Sequence, residues 1–60
     1  AITTFNKVLA INPKNIGAIY GLGLVYVRQK NLPLAQQQLQ KLDLLDKTQA
    51  DKLREKISSM

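Results

Sequence analysis

The chain has 60 residues, 45% of them hydrophobic, with no cysteine, no histidine and a formal net charge of +5. That length holds one small domain, which buries only about 60% of its unfolded surface on folding, and the missing residue types exclude disulfides, cysteine- or histidine-ligated metals and a histidine general base. The charge is uneven: residues 1–30 carry Lys7, Lys14, Arg28 and Lys30 and no acid, whereas Asp43, Asp46, Asp51 and Glu55 all lie in the second half.

Residues 1–12 place Ala1, Phe5, Val8, Leu9 and Ile11 near one helical face, the i, i+4, i+7, i+8 signature of an amphipathic helix. Pro13 ends that pattern inside an "NPKN" turn, and Asn15 stands where a helix cap belongs. The next stretch, "GLGLVYVRQK" from Gly21 to Lys30, admits three readings. Its valines and tyrosine suit a strand, its glycines suit a phosphate loop, and its spacing suits a helix. Ile16, Ile19, Tyr20, Gly23, Leu24 and Val27 recur at helical spacing, and four consecutive apolar residues, Leu24 to Val27, break the alternation of a strand. A G-x-G-x-x-G loop needs glycine where Tyr26 stands and a strand before it. The pattern therefore predicts a helix over 16–30, with Arg28 and Lys30 suited to its C-terminus.

Asn31 is a good N-cap for a third helix, with Pro33 in its first turn. Its apolar stripe reads Leu34, Ala35, Leu39, Leu42 and Leu45 or Leu44, and Gln36–Gln40 reads as its outer face. Thr48 with Asp51 resembles a capping box that opens a fourth helix. Ala50, Leu53 and Ile57 share a face of that helix, and Ser58–Met60 should fray. Four helices joined by short turns pack antiparallel. The longest uncharged apolar-rich run, Ile16 to Val27, falls short of the ~20 residues a membrane span needs, and no signal peptide is visible. The chain opens at Ala1 inside a helical pattern, which suggests a piece of a longer protein. The lack of cysteine fits the cytosol and leaves a periplasmic location open.

The apolar register repeats. Ala1 and Ala35 are 34 residues apart, and the same shift takes Phe5 to Leu39, Val8 to Leu42, Ile11 to Leu45 and Ile19 to Leu53. A period of 34 with paired helices resembles the tetratricopeptide repeat, whose pattern is W-x2-L-G-x2-Y, then A-x3-F, then P. Ile19-x2-Leu22-Gly23-x2-Tyr26 matches the first part with Ile for Trp, and Ala35-x3-Leu39 the second with Leu for Phe. Ala1-x3-Phe5 and Pro13 supply the corresponding half of a preceding repeat. The resemblance implies an all-α fold, antiparallel helix-turn-helix repeats of an α-solenoid. Residues 1–13 would be the second helix of a preceding repeat, 16–47 a full repeat and 48–58 a C-terminal capping helix. It also implies that Gly23 lies where the first helix of the repeat crosses the second, opposite Ala35. Gly21 has no such account.

The resemblance further implies a non-enzymatic protein-interaction module that binds a peptide or helix in a concave groove lined by first helices. On this chain the groove maps onto Gly17, Tyr20, Leu24, Val27 and Arg28, an apolar surface with a cation at its rim. The family's clamp for acidic C-termini uses Lys, Asn and Arg in such a groove, and Tyr20 and Leu24 stand here instead. Ile2, Phe5 and Leu9 leave the N-terminal end apolar, so self-association through the first helix, or contact with another chain there, is expected.

Catalysis has little to work with. Asp51 and Glu55 are one turn apart, but Lys52, Arg54 and Lys56 on the same helix make a solvated charged face, and no nucleophile has a base. No metal or cofactor is expected. The alternative function class is a basic surface that binds nucleic acid or another acidic polymer. It lacks clustered cations with stacking aromatics, and Lys52 and Arg54 are about 200° apart around their helix.

Overall fold

The computed structural model describes residues 2–59. Ala1, expected on the apolar face and paired with Ala35, and Met60 lie outside the described residues. Four helices follow one another: α1 (Ile2–Ile11), α2 (Ile16–Arg28), α3 (Leu32–Leu45) and α4 (Lys47–Ser58). There is no strand among the described residues, so the all-helical expectation holds.

Local chemistry sets each boundary. In the first turn the Asn12 side chain accepts the Lys14 N–H at 3.1 Å. Asn15 then caps α2 by accepting the Ala18 N–H at 3.0 Å. The C-terminus of α2 closes with Lys30 in the left-handed region, φ 56°. The Lys30 N–H reaches the Val27 carbonyl at 3.0 Å and the Asn31 N–H the Tyr26 carbonyl at 2.8 Å. That pair of bonds is the Schellman motif, which satisfies carbonyls that a helix end otherwise leaves unpaired. Asn31 caps α3 through the Leu34 N–H, and Pro33 sits in the first turn.

The start of α4 corrects the sequence reading. Asp46, not Thr48, is the cap: its carboxylate accepts the N–H of Thr48 at 3.0 Å and of Gln49 at 3.3 Å. The backbone N–H of the same residue donates to the Leu42 carbonyl at 2.6 Å. Asp46 thus ends α3 and begins α4 with no linker between them, and its charge lies where a helix N-terminus favours an anion. Thr48 falls inside the first turn. At the far end Ser58 is helical, and the Ser59 hydroxyl donates to the Glu55 carbonyl at 3.1 Å.

The core is Ile19, Leu42, Ala50 and Leu53, with Leu9, Ile16, Leu39 and Ile57 packed against it. Three expected members of the apolar faces stand outside it. Ile11 is 89% exposed, Leu44 is 88% exposed, and Leu45 at the end of α3 is also exposed. Gln38, expected on the outer face of α3, is buried instead. At 100° per residue it lies about 60° from Ala35 and about 40° from Leu42, on the inward side of the helix, and both of those are fully buried. Position rather than hydrophobicity decided its burial.

Helix α2 touches the other three, α4 packs on both α2 and α3, and α1 touches α2 alone. A further correction concerns Gly23. A Cβ built there would stand 2.6 Å from Leu53 Cδ2 and 2.9 Å from Leu53 Cδ1. The closest neighbour is therefore on α4, not Ala35 on α3, and the glycine lets α4 settle onto α2.

Candidate interaction surface

Helix α2 is buried on one side by Ala18, Ile19, Leu22 and Gly23. On the other side, Gly17, Leu24 and Arg28 fall within about 40° of one another at the helical step. Gly17 and Arg28 are exposed, and Leu24 is half-buried. Tyr20 and Val27 lie to one flank of that strip. Both are half-buried and, like Leu24, packed against the cluster of Ile19, Leu42, Ala50 and Leu53. Three of the five residues expected to line a groove therefore spend part of their apolar surface on the chain's own core.

Gly21 and Val25 occupy the opposite flank, toward α1. Phe5, Gly21, Leu24, Val25 and Arg28 line a shallow depression of about 280 Å³ between the two helices. The Phe5 ring lies directly over Gly21, where any Cβ would collide with it. That contact is the missing account of Gly21. The sequence reading singled out Leu24 and Arg28 and missed Phe5, Gly21 and Val25 as a group. An unexplained glycine at a helix interior, where it costs about 1 kcal/mol against alanine, was the available signal.

The N-terminal residues expected to lie uncovered are half-buried: Ile2, Phe5 and Leu9 all have intermediate exposure, and Leu9 reaches the core cluster. No residue of α1 is fully buried.

The surface offers hydrophobic contact and one cation. Among the described residues no group of histidine, cysteine or carboxylate side chains is placed to hold a metal. Two of the four acids are engaged elsewhere: Arg54 bridges Asp51 at 2.5 Å and Asp43 at 3.5 Å on the exposed side of α3 and α4. Exposed pairs of that kind contribute about 0–1 kcal/mol and mark a solvated face. No helix among the described residues is long and apolar enough to cross a membrane.

Residues 1–57 match the tetratricopeptide repeat family. Neither the curated proteins nor the solved structures gave a significant match.

Proposed function

The chain belongs to the tetratricopeptide repeat family, whose members are in general protein-interaction modules, and from that premise we propose that it binds a peptide or helix of a partner protein on the outward face of α2. Gly17, Tyr20, Leu24, Val27 and Arg28 are the contact residues. The observation that carries the reading is the make-up of that face: an apolar strip, Tyr20, Leu24 and Val27, that is half-buried and ends in the exposed cation Arg28. Gly17 lets a ligand's backbone approach closely at the other end of the strip. Such a surface suits apolar anchors from a peptide, with Arg28 taking a polar or acidic group at the rim.

In this reading α1 stands as the second helix of a preceding repeat, α2 and α3 form a full repeat, and α4 caps the array. The 34-residue shift takes Ala18 to Lys52 and Leu22 to Lys56. Ala18 and Leu22 are buried, and both lysines are exposed. Polar replacement on that face is what a terminal helix needs where no further helix covers it.

The test is a panel of amphipathic peptides titrated into isotopically labelled protein. Shifts centred on Gly17, Tyr20, Leu24 and Val27, with affinity that changes little between 50 and 200 mM salt, are expected. Tight binding of single-stranded RNA that collapses over the same salt range, as counterion release requires, would replace this reading with the basic-surface alternative.

A further inference from the structure

The outward face of α3 takes no part in the core or in the strip on α2. Pro33, Gln37, Gln40 and Leu44 stand on it at i, i+4, i+7 and i+11. At the helical step they fall within about 60° of one another, on the side opposite Ala35 and Leu42. All four are exposed. Leu44 is 88% exposed although α3 packs on both α2 and α4, so the ridge points away from both of its neighbours. The 4-3-4 spacing is that of a coiled-coil seam. The ridge also reads the same in both directions: apolar, carboxamide, carboxamide, apolar. The pairs 33 with 44 and 37 with 40 share one centre, between residues 38 and 39. A surface that complements itself is what a twofold contact between identical chains requires.

We infer that this ridge joins two copies of the chain in an antiparallel dimer, with Pro33 of each against Leu44 of the other and Gln37 against Gln40. Charge favours this face for a copy. The chain carries +5, and residues 1–30 hold four cations and no acid, so contact through them sets like charge on like. The 14 residues of α3 hold one cation, Lys41, and one acid, Asp43. Charge also selects the direction. In the antiparallel order Lys41 lies level with Gln36 of the second copy and Asp43 level with Leu34. The parallel order would set Lys41 beside Lys41 and Asp43 beside Asp43, and like charges so placed reject a partner. The helix dipoles oppose one another favourably in the antiparallel order as well. The contact is one helix wide and about 16 Å long from Pro33 to Leu44. It therefore belongs with the small interfaces below about 1,200 Å², and the dimer is weak, with a Kd on the order of 0.1–1 mM.

The ridge shares no residue with the strip on α2, so failure of either reading leaves the other standing. The test follows sedimentation and backbone amide shifts of the labelled chain from about 20 µM to about 2 mM, a range that spans the expected Kd. A dimer that grows with concentration is expected, with shifts centred on Gln37, Gln40 and Leu44. Added salt should strengthen it, because the net charge of each copy is then screened. Leu44→Gln, at an exposed position, should leave the melting temperature within about 2 °C. It should weaken association roughly tenfold, since two leucine contacts are lost per dimer. Gln37→Glu combined with Gln40→Lys sets opposite charges against each other across the contact only in the antiparallel order, and should tighten the dimer roughly fivefold. Weakening by that double substitution would overturn the antiparallel order. A chain that stays monomeric to about 2 mM, or a dimer indifferent to Leu44→Gln, would overturn the inference outright. Shifts on dimerisation confined to Ile2, Phe5 and Leu9 would overturn it in favour of a contact through α1. Amphipathic peptides that shift Gln37, Gln40 and Leu44 of a chain that stays monomeric would overturn it in favour of a partner protein's helix.

Discussion

Gly23 lies beneath Leu53: a Cβ on the glycine would stand 2.6 Å from Leu53 Cδ2, and Leu53 has no exposed surface into which to retreat. Helix α4 is held against α2 at this point by the absence of a side chain. Replacing Gly23 with alanine improves helix propensity by about 1 kcal/mol. It also overpacks a closed core, which costs about 1–3 kcal/mol. The second effect should win, with a net loss of about 1 kcal/mol and a melting temperature lower by about 4–8 °C. Gly21→Ala makes the informative contrast. Its Cβ meets the Phe5 ring, which is half-buried on a helix that touches only α2. The ring can swing outward, so Gly21→Ala should lower the melting temperature less than Gly23→Ala. A larger loss at Gly21 would mean that α1 is held more firmly than its contacts indicate.

Lys30 ends α2 in the left-handed region, φ 56°, where an L-residue costs about 1–2 kcal/mol. Glycine removes that cost, at a penalty of about 0.5–1 kcal/mol in backbone entropy. Lys30→Gly should therefore stabilise the chain by about 0.5–1 kcal/mol, measured by chemical denaturation. Lys30→Ala keeps the strained backbone and removes the charge, so it should bring no comparable gain. Equal stabilisation by both would assign the effect to charge instead of conformation.

Asp46 and Thr48 separate two accounts of how α4 starts. With Asp46 accepting both free N–H groups, Asp46→Ala should cost about 1 kcal/mol, the usual loss for a capping side chain. Thr48→Ala should be close to neutral, because the Asp46 side chain caps the helix and the exposed Thr48 hydroxyl takes no part in the cap. If the two substitutions exchanged their effects in thermal melts, the helix would begin at Thr48 as its capping-box pattern suggested.

The helices were legible because their signals are local: apolar spacing, Asn15 and Asn31 as caps, Pro13 and Pro33 as punctuation. The family was legible because a 34-residue register ties those local signals together. What stayed hidden depends on which helix sits against which. Gly23 was expected to face Ala35, and only the placement of α4 reveals Leu53. Leu44 and Ile11 are as hydrophobic as any core residue, yet no neighbouring helix reaches them. The strip from Gly17 to Arg28 could be placed on one face by spacing alone. How much of Tyr20 and Val27 the chain's own core would take could not. Asp46 was missed because one side chain serves two helices, and a pattern search treats each helix start by itself.

Gln38 gives the sharpest stability test. It is buried on the face of α3 that also carries Ala35 and Leu42. Its Oε1 has no hydrogen-bond partner. A buried polar group left unpaired costs about 1–3 kcal/mol, and an apolar group of the same shape removes that cost without opening a cavity. Methionine is the nearest match, being unbranched, of similar length and free to choose among rotamers. Gln38→Met should raise stability by about 1–2 kcal/mol, which for a domain this small is a melting temperature higher by about 4–16 °C. Gln38→Ala should instead destabilise, since it trades the unpaired oxygen for a cavity. Gln36→Met and Gln37→Met, at exposed positions of the same helix, are the controls and should leave the melting temperature within about 2 °C, as surface substitutions usually do. Destabilisation by Gln38→Met would show that the amide is satisfied in solution and holds α3 in register, so the measurement decides between a polar defect in the core and a polar anchor.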